Sequence, residues 1–148
     1  MSRRWPIGSP DATTDVRYLG LDLGTKRTGV AVGDDETGSA LPVAVVDTPD
    51  EAALMNAIDT QIRDHGPDAI VVGLPLNMDG TEGKPAEAAR ALADRISTHV
   101  HLDVHVQDER LTSDAARRRL AETGSTRGRR DDAIAAAIIL EEFLGGRP

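Results

Sequence analysis

Three acidic residues lie at positions from which their side chains could assemble a metal site. Asp22 lies inside an apolar run, Glu109 follows the last predicted strand, and Asp132 lies at the start of the last predicted helix. A charged carboxylate among leucines is costly unless a partner compensates it. Because neighbouring carboxylates also repel each other, a cluster of the three would require a cation. The sequence therefore predicts a cation-binding site.

The oxygen ligands of such a site favour Mg²⁺ or Mn²⁺ as the cofactor. The sequence contains no cysteine, and its four histidines show no tight metal-binding spacing. Hard carboxylate oxygens without histidine or thiolate ligands select these two ions over zinc. In a paired-metal site, one ion generates hydroxide from water and the other stabilises the leaving oxygen of a phosphodiester. The chemistry indicated is metal-dependent phosphodiester cleavage.

The elements that must position these acids follow from apolar periodicity and turn residues. Strands are expected at 17–23, 28–33, 41–47, 69–74 and 102–107. Helices are expected from 49 to about 65, over 85–97, from 112 or 113 to 121, and from 131 or 132 onwards. Three consecutive strands followed by alternating helices and strands predict an α/β domain built on a mixed five-stranded sheet flanked by helices.

Capping and spacing give more specific expectations for the helices. Thr48 is expected to cap the first helix, with Glu51 three residues later. The second helix is expected to bury a stripe made of Ala88, Ala91, Leu92 and Ile96. In the last helix, Asp132 shares a face with Ala136 and Ile139, as well as with Ala135. The small alanines should let this helix approach the sheet closely and carry Asp132 toward Asp22.

Glycines are expected to shape the first hairpin. Gly24 and Gly29 bracket a short polar link that carries Lys26 and Arg27. These two cations are either exposed hairpin charges or contacts for a substrate phosphate.

Length and composition bound the class of protein. The 148 residues fit one domain, with 1–15 expected as a disordered tail and 16–148 as the folded domain. The lack of cysteine and of any run of about 18 apolar residues indicates a soluble, cytoplasmic protein. Only Trp5, Tyr18 and Phe143 are aromatic, which argues against the stacking platforms of many single-strand binders.

Charge is segregated along the chain, although the formal net charge is -8. The segment 110–130 holds seven arginines against two acidic residues. A phosphate-binding surface needs local positive potential, and this segment is the candidate for it. On charge alone, a solvated helix face followed by a flexible loop explains the same run equally well.

Four ordered motifs resemble those of one known family. The segments 20–31, 72–80, 108–113 and 132–140 closely resemble the YqgF or RuvX family of Holliday-junction resolvase-like, pre-16S rRNA nucleases, over about residues 17–144. The resemblance implies a ribonuclease H-like fold. It also implies a bacterial cytoplasmic nuclease that matures the 5′ end of the small-subunit rRNA precursor, with nucleic acid as its partner.

The resemblance also implies roles for individual residues. Asp22, Glu109 and Asp132 match the catalytic metal ligands, and the choice of Asp132 over Asp131 rests on this match. The candidate substrate-binding residues are Lys26, Arg27, Asn77, Arg110, Thr112, Arg127, Arg129 and Arg130. As alternatives, the loop of Asn77 is an ordinary turn and Thr112 is a helix cap.

The middle acid could be either of two neighbours. Strand alternation places Asp108 with Val104 and Val106, and Glu109 on the opposite face with Gln107. We favour Glu109 as the ligand because its longer side chain at a strand end can reach a metal. Asp108 is then a supporting or helix-capping group.

Other functions share parts of this pattern. Holliday-junction resolution would require a symmetric dimer, and the sequence leaves monomer and homodimer open. A non-catalytic RNA-binding module could keep the fold without the chemistry. Actin-like ATPases open with a similar hairpin, but they close two such domains around a nucleotide, whereas this chain has the length of one.

Overall fold

The computed structural model describes residues 15–75, 79–108 and 129–146, and only the backbone of 108 and of 129–131. The predicted disordered tail over 1–15, apart from residue 15, and the predicted helix from 112 or 113 to 121 lie outside these ranges. The described strands are β1 (Arg17–Leu23), β2 (Arg27–Asp34), β3 (Ala40–Asp47), β4 (Ala69–Leu74) and β5 (Asp103–Asp108). The described helices are α1 (Glu51–His65), α2 (Lys84–Val100) and α3 (Arg129–Gly145). Each strand agrees with its predicted bounds within one residue.

The strands form one mixed sheet in the order β3-β2-β1-β4-β5. β1 and β2 are antiparallel, as are β2 and β3, whereas β4 lies parallel to β1 and β5 parallel to β4. The predicted α/β architecture is therefore confirmed. Because a parallel pair needs a crossover, α1 connects β3 to β4 and α2 connects β4 to β5.

Alternation along the strands sends different side chains to the two faces of the sheet. Leu19 and Leu21 of β1 are buried against Leu54 and Ile58 of α1 and Ile96 of α2. On the opposite face, α3 covers the sheet. Tyr18 of β1, Ala31 of β2 and Val71 of β4 are buried with the α3 residues Ala136, Ala137, Ile139 and Leu140.

The start of α1 differs from the prediction. Asp50 is the N-cap, and its side chain accepts a hydrogen bond of 2.8 Å from the backbone N–H of Ala53. Thr48 instead is buried, with its hydroxyl 2.8 Å from that of Thr28 in β2. Its backbone N–H donates to the carbonyl of Lys26 at 2.9 Å. Thr48 therefore anchors the β1–β2 turn rather than capping the helix.

The buried stripe of α2 also differs from the prediction. Ala86, Ala93 and Ile96 are buried, whereas Ala88 and Ala91 are exposed. Helix α2 begins at Lys84 and ends at Val100, so it extends beyond the predicted end at 97. Alanine fits both a buried and an exposed helix face, and its spacing alone therefore did not identify the face that meets β4 and β5.

Glycines of the sheet allow α3 to approach the backbone of β1 and β2. A Cβ atom at Gly20 would lie 3.0 Å from the Cβ of Leu140. A Cβ atom at Gly29 would overlap the backbone carbonyl of Asp132. The close approach was predicted from the alanines of α3, but glycines on the sheet contribute as much to it. None of the helices in the described ranges has the length and apolarity needed to cross a membrane.

Candidate active site

Asp22 lies near the end of β1 on the face that α3 covers. It alternates with Gly20 and Tyr18, and both of these residues meet α3. Its partner in β2 is Gly29, and extending the β1–β4 register by one residue places Gly73 on its other side. Neither neighbour has a side chain, and the backbone carbonyl of Asp132 fills the space above Gly29, so the half-buried Asp22 lies beside the start of α3.

Asp132 lies in the first turn of α3, directly over this strand pair. The backbone carbonyl of Asp132 meets β2 at Gly29, the register partner of Asp22. Its side chain is 16% exposed. The fold therefore brings the first-strand acid and the last-helix acid to one face of the sheet, although they are far apart in the sequence.

Arg27 forms an ion pair with Asp132. Its Nε donates to Oδ2 of Asp132 at 2.9 Å, and the arginine side chain is 41% exposed. Arg27 precedes Gly29 by two positions in β2, so both lie on the α3 face. The guanidinium offsets the negative charge that the two aspartates place on this face. Sequence reasoning listed Arg27 as a substrate contact or an exposed charge and missed its pairing, because the partner lies on a helix 105 positions away in the sequence.

The β1–β2 turn fixes the backbone beside Arg27. The N–H of Gly24 donates to the Arg27 carbonyl at 3.0 Å, and a Cβ at Gly24 would lie only 2.6 Å from that oxygen. Glycine is required here because of this close approach. Lys26, at the tip, is exposed, and its carbonyl accepts the Thr48 hydrogen bond. The turn thus presents Lys26 to solvent and directs Arg27 to the acids.

The β5 strand contributes polar groups to the same face. The His105 ring lies 5.1 Å from the Phe143 ring of α3 and 6.3 Å from the Tyr18 ring, measured between centroids. Gln107, two residues further along β5, pairs in register with Gly73. Gln107 therefore lies on the row that contains Gly73 and Asp22, a position that sequence reasoning did not single out.

Several predicted site residues fall outside the described ranges. These are Asn77, Glu109, Arg110, Thr112 and Arg127. Arg129 and Arg130 begin α3, and their backbone alone is described. The residues that the described structure brings together are Asp22, Asp132 and Arg27, with Lys26 on the turn beside them.

The donor atoms at this site suit a hard divalent cation. Asp22 and Asp132 offer carboxylate oxygens, which are the ligand type of Mg²⁺ and Mn²⁺, and Gln107 offers an amide oxygen two strands away on the same row. Within the described ranges no set of three histidine, cysteine or acidic residues forms a complete metal site. A third carboxylate, such as the predicted Glu109, would complete the ligand set.

Sequence comparison identifies similar proteins over most of the chain. The profile of the RuvX family, described as Holliday junction resolvase, matches residues 16–146. A protein of Anaeromyxobacter sp. (strain Fw109-5) is named "Putative pre-16S rRNA nuclease" and is 44% identical over 136 residues, or 89% of this chain and 98% of its own. A protein of Shewanella denitrificans with the same name is 42% identical over 136 residues, or 89% of this chain and 96% of its own.

Solved structures share the architecture at low identity. Thermus thermophilus RuvC, in complex with a Holliday junction substrate, matches with a TM-score of 0.56 and 15% identity over 87% of this chain and 93% of its own. The fowlpox virus Holliday junction resolvase matches with a TM-score of 0.54 and 12% identity over 88% of this chain and 99% of its own. At this identity the likeness concerns the fold, and it confirms the predicted ribonuclease H-like arrangement.

Proposed function

The chain belongs to the RuvX family, as its four motifs predicted, and from this premise we propose that it is a divalent-metal-dependent endonuclease that processes the 5′ end of precursor 16S rRNA. It is a nuclease, which hydrolyses phosphodiester bonds. The substrate is assigned from the names of the relatives that are 42–44% identical to it. Because this is its proposed substrate, we propose that the protein is located in the cytoplasm.

One observation carries the catalytic part of the proposal. The backbone of Asp132 meets β2 at Gly29, the register partner of Asp22, so two carboxylates more than a hundred residues apart share one face. Two carboxylates about 4 Å apart would repel by about 4 kcal/mol at an effective dielectric near 20. An arrangement of this kind is favourable when a cation lies between the acids.

Asp22 and Asp132 would hold the cation, with Glu109 as the third ligand. His105 and Gln107 lie on the α3 face of β5, and continued alternation favours Glu109 over Asp108 for that same face. When bound, a divalent ion activates water and stabilises charge on phosphate oxygens. The glycine partner of Asp22 in β2 lets the start of α3 approach closely enough for both aspartates to contact the same ion.

Cationic side chains would position the nucleic acid. Lys26 lies exposed on the turn next to the acids, and Arg27 lies between the turn and Asp132. We propose that the arginine-rich segment, with Arg110, Arg127, Arg129 and Arg130, continues this surface along the phosphate backbone. Arginine suits the role because its planar guanidinium can bind a phosphate through two hydrogen bonds. Asn77 and Thr112 are further proposed contacts with the nucleic acid.

The proposal is tested by incubating the purified protein with a precursor rRNA fragment that spans the 5′ end of 16S rRNA, in Mg²⁺, Mn²⁺ or EDTA. Cleavage is expected with either metal, and none with EDTA. Asp22→Asn should abolish it, whereas Asp59→Asn, on the exposed surface of α1, should not. RNA binding without metal-dependent cleavage would overturn the catalytic assignment and favour the RNA-binding module.

Holliday-junction resolution is the second candidate, because the family itself is described by that activity. A resolvase must cut two strands symmetrically and therefore acts as a dimer. A four-way DNA junction in the same assay, together with the mass of the protein by light scattering, separates the two functions. Paired, symmetric cuts in the junction by a dimer would favour resolution, and cleavage of the rRNA fragment alone would favour rRNA processing.

A further inference from the structure

We propose that Arg27 is an exchange residue, which pairs with Asp132 while no cation is bound and transfers to a phosphate of the nucleic acid when a divalent cation takes Asp132. The inference rests on the proposed metal-dependent function. It goes beyond that function because it makes Arg27 a competitor of the metal as well as a contact for the substrate.

The geometry of the pair supports an exchange. Arg27 contacts Oδ2 of Asp132 through Nε at 2.9 Å, so the guanidinium takes up a ligand atom that the cation would need. The Asp132 side chain is 16% exposed, whereas that of Arg27 is 41% exposed. The acid is therefore more enclosed by its surroundings than the arginine, whose larger exposed fraction gives its side chain a route toward solvent.

The backbone on both sides of the pair is fixed. The backbone carbonyl of Asp132 packs against Gly29, which holds the backbone of Asp132 in place. The N–H of Gly24 donates to the carbonyl of Arg27, which holds the backbone of Arg27. Displacement of the guanidinium then requires only rotation of the arginine side chain. Neither the turn nor helix α3 has to move.

Charge gives the exchange its direction. A divalent ion at Asp132 would lie within a few ångströms of the guanidinium and repel it, since both are positive. The phosphate that the metal binds brings negative charge to the same place, and arginine binds phosphate well. Before the metal binds, the pairing with Arg27 offsets the negative charge of Asp132 on the face that it shares with Asp22.

A purely structural ion pair makes the opposite prediction for metal affinity. If Arg27 only holds Asp132 in position, its removal should loosen the carboxylate and weaken metal binding. If Arg27 competes with the metal, its removal should strengthen metal binding. The sign of the change therefore separates the two roles.

The first experiment measures Mn²⁺ affinity by electron paramagnetic resonance, without nucleic acid, for the wild type, Arg27→Met and Arg95→Met. Arg95 is the matched control because it forms an ion pair with Glu51 at 2.9 Å and is similarly exposed, on the opposite face of the sheet. Partly exposed ion pairs are worth less than about 1 kcal/mol, so Arg27→Met should tighten Mn²⁺ binding by roughly two- to fivefold. Arg95→Met should not change it.

RNA binding in saturating Mg²⁺ is then measured for the same three proteins. Arg27→Met should bind the rRNA fragment more weakly than Arg95→Met, because it lacks the guanidinium that transfers to phosphate. Unchanged or weaker Mn²⁺ binding in Arg27→Met would overturn the exchange. Tighter Mn²⁺ binding with unchanged RNA binding would also overturn it, since the displaced arginine would then have no phosphate to meet.

A direct readout comes from the Nε–Hε resonance of Arg27 in NMR spectra. The resonance should shift when Mg²⁺ is added and shift again when RNA is added, whereas that of Arg95 should stay in place. An Arg27 resonance that does not respond to Mg²⁺ would overturn the inference. The proposed function is judged separately: if Asp22→Asn and Asp132→Asn leave Mn²⁺ affinity unchanged, the metal site itself is wrong, whatever Arg27 does.

Discussion

The two faces of the sheet are built in different ways. On the face covered by α1 and α2, large aliphatic side chains fill the space between the layers, such as Leu21, Ile58 and Ile96. On the face covered by α3, glycines let the helix backbone touch the strands, and charged groups lie at one end of the contact. The first face stabilises the fold through apolar burial, and the second places chemical groups through main-chain contact.

This difference explains how charged residues are accommodated on the α3 face. Tyr18, Ile139 and Leu140 form an apolar core away from the acids. Beside Asp22, the strand positions on this face are glycines instead of aliphatic residues. The carboxylates of Asp22 and Asp132 are therefore not surrounded by hydrocarbon. We expect substitutions on the two faces to separate stability from catalysis.

The largest effect on stability is expected at Ile58 of α1, which is 1% exposed. Ile58→Ala leaves a cavity and should lower the free energy of unfolding by about 2–5 kcal/mol. Cleavage by the folded molecules should persist at low temperature, because the site lies on the other face. Urea denaturation and a single-turnover assay test this, with exposed Asn56→Ala as the control. Loss of cleavage by a fully folded Ile58→Ala variant would show that the two faces do not contribute separately to stability and catalysis.

The next effect is expected at Gly29, where a methyl group would overlap the Asp132 carbonyl. Gly29→Ala should push α3 from the sheet, destabilise the protein by about 1–3 kcal/mol, and reduce metal binding and cleavage more than this loss explains. The control is Gly145→Ala, since a Cβ there would have no neighbour within 4 Å. Normal metal affinity in Gly29→Ala would contradict the importance of the main-chain contact.

A similar loss of stability, without the loss of metal binding and cleavage, is expected at Thr48, whose buried hydroxyl lies 2.8 Å from that of Thr28. Thr48→Val removes one partner and should cost about 1–3 kcal/mol, because the Thr28 hydroxyl is left buried without it. Thr28→Val combined with Thr48→Val should cost less than the sum of the two single changes. Thermal denaturation measures this, with Thr60→Val at the exposed surface of α1 as the control. Strict additivity would show that the two hydroxyls do not depend on each other.

The smallest effect is expected at the surface ion pair of Glu82 and Arg90. Hydrogen bonds from Arg90 lower the pKa of Glu82 from its ordinary value of 4.5. The stabilisation from this pair is therefore present above about pH 4.5 and is lost as the pH falls through the lowered pKa. When the pH is lowered from 6 to below the pKa of Glu82, the free energy of unfolding of Glu82→Gln should fall slightly less than that of the wild type. Glu87→Gln in α2 is the control, and an identical loss in all three proteins would contradict the assignment.

The strands could be predicted because each carries its own signal. Apolar alternation in β1 and the continuous apolar run in β4 depend on residues that are adjacent in sequence, and both strands lie where they were expected. The same locality explains the errors. Thr48 and Asp50 are both good capping residues, and the choice between them depended on Thr28, which lies on another strand.

The site could be predicted in part for a related reason. Helical spacing correctly directed Asp132 toward the sheet, because Ala136 and Ile139 on its face are buried. The partner of Arg27 could not be read from local sequence, since it depends on where α3 crosses β2. That crossing is set by Gly29, which the sequence placed within the second strand without indicating that a helix backbone packs on it.

The contact between β2 and α3 also determines when the site comes into existence during synthesis. Arg27 and Asp132 are separated by 105 positions in the chain. Proteins are made from the N-terminus at about 5–20 residues per second, so the first hairpin is complete several seconds before α3 is translated. Before α3 is translated, a nascent chain therefore has Asp22 and the turn but not Asp132. The two-aspartate arrangement of the proposed metal site can therefore form only after residue 132 has been made.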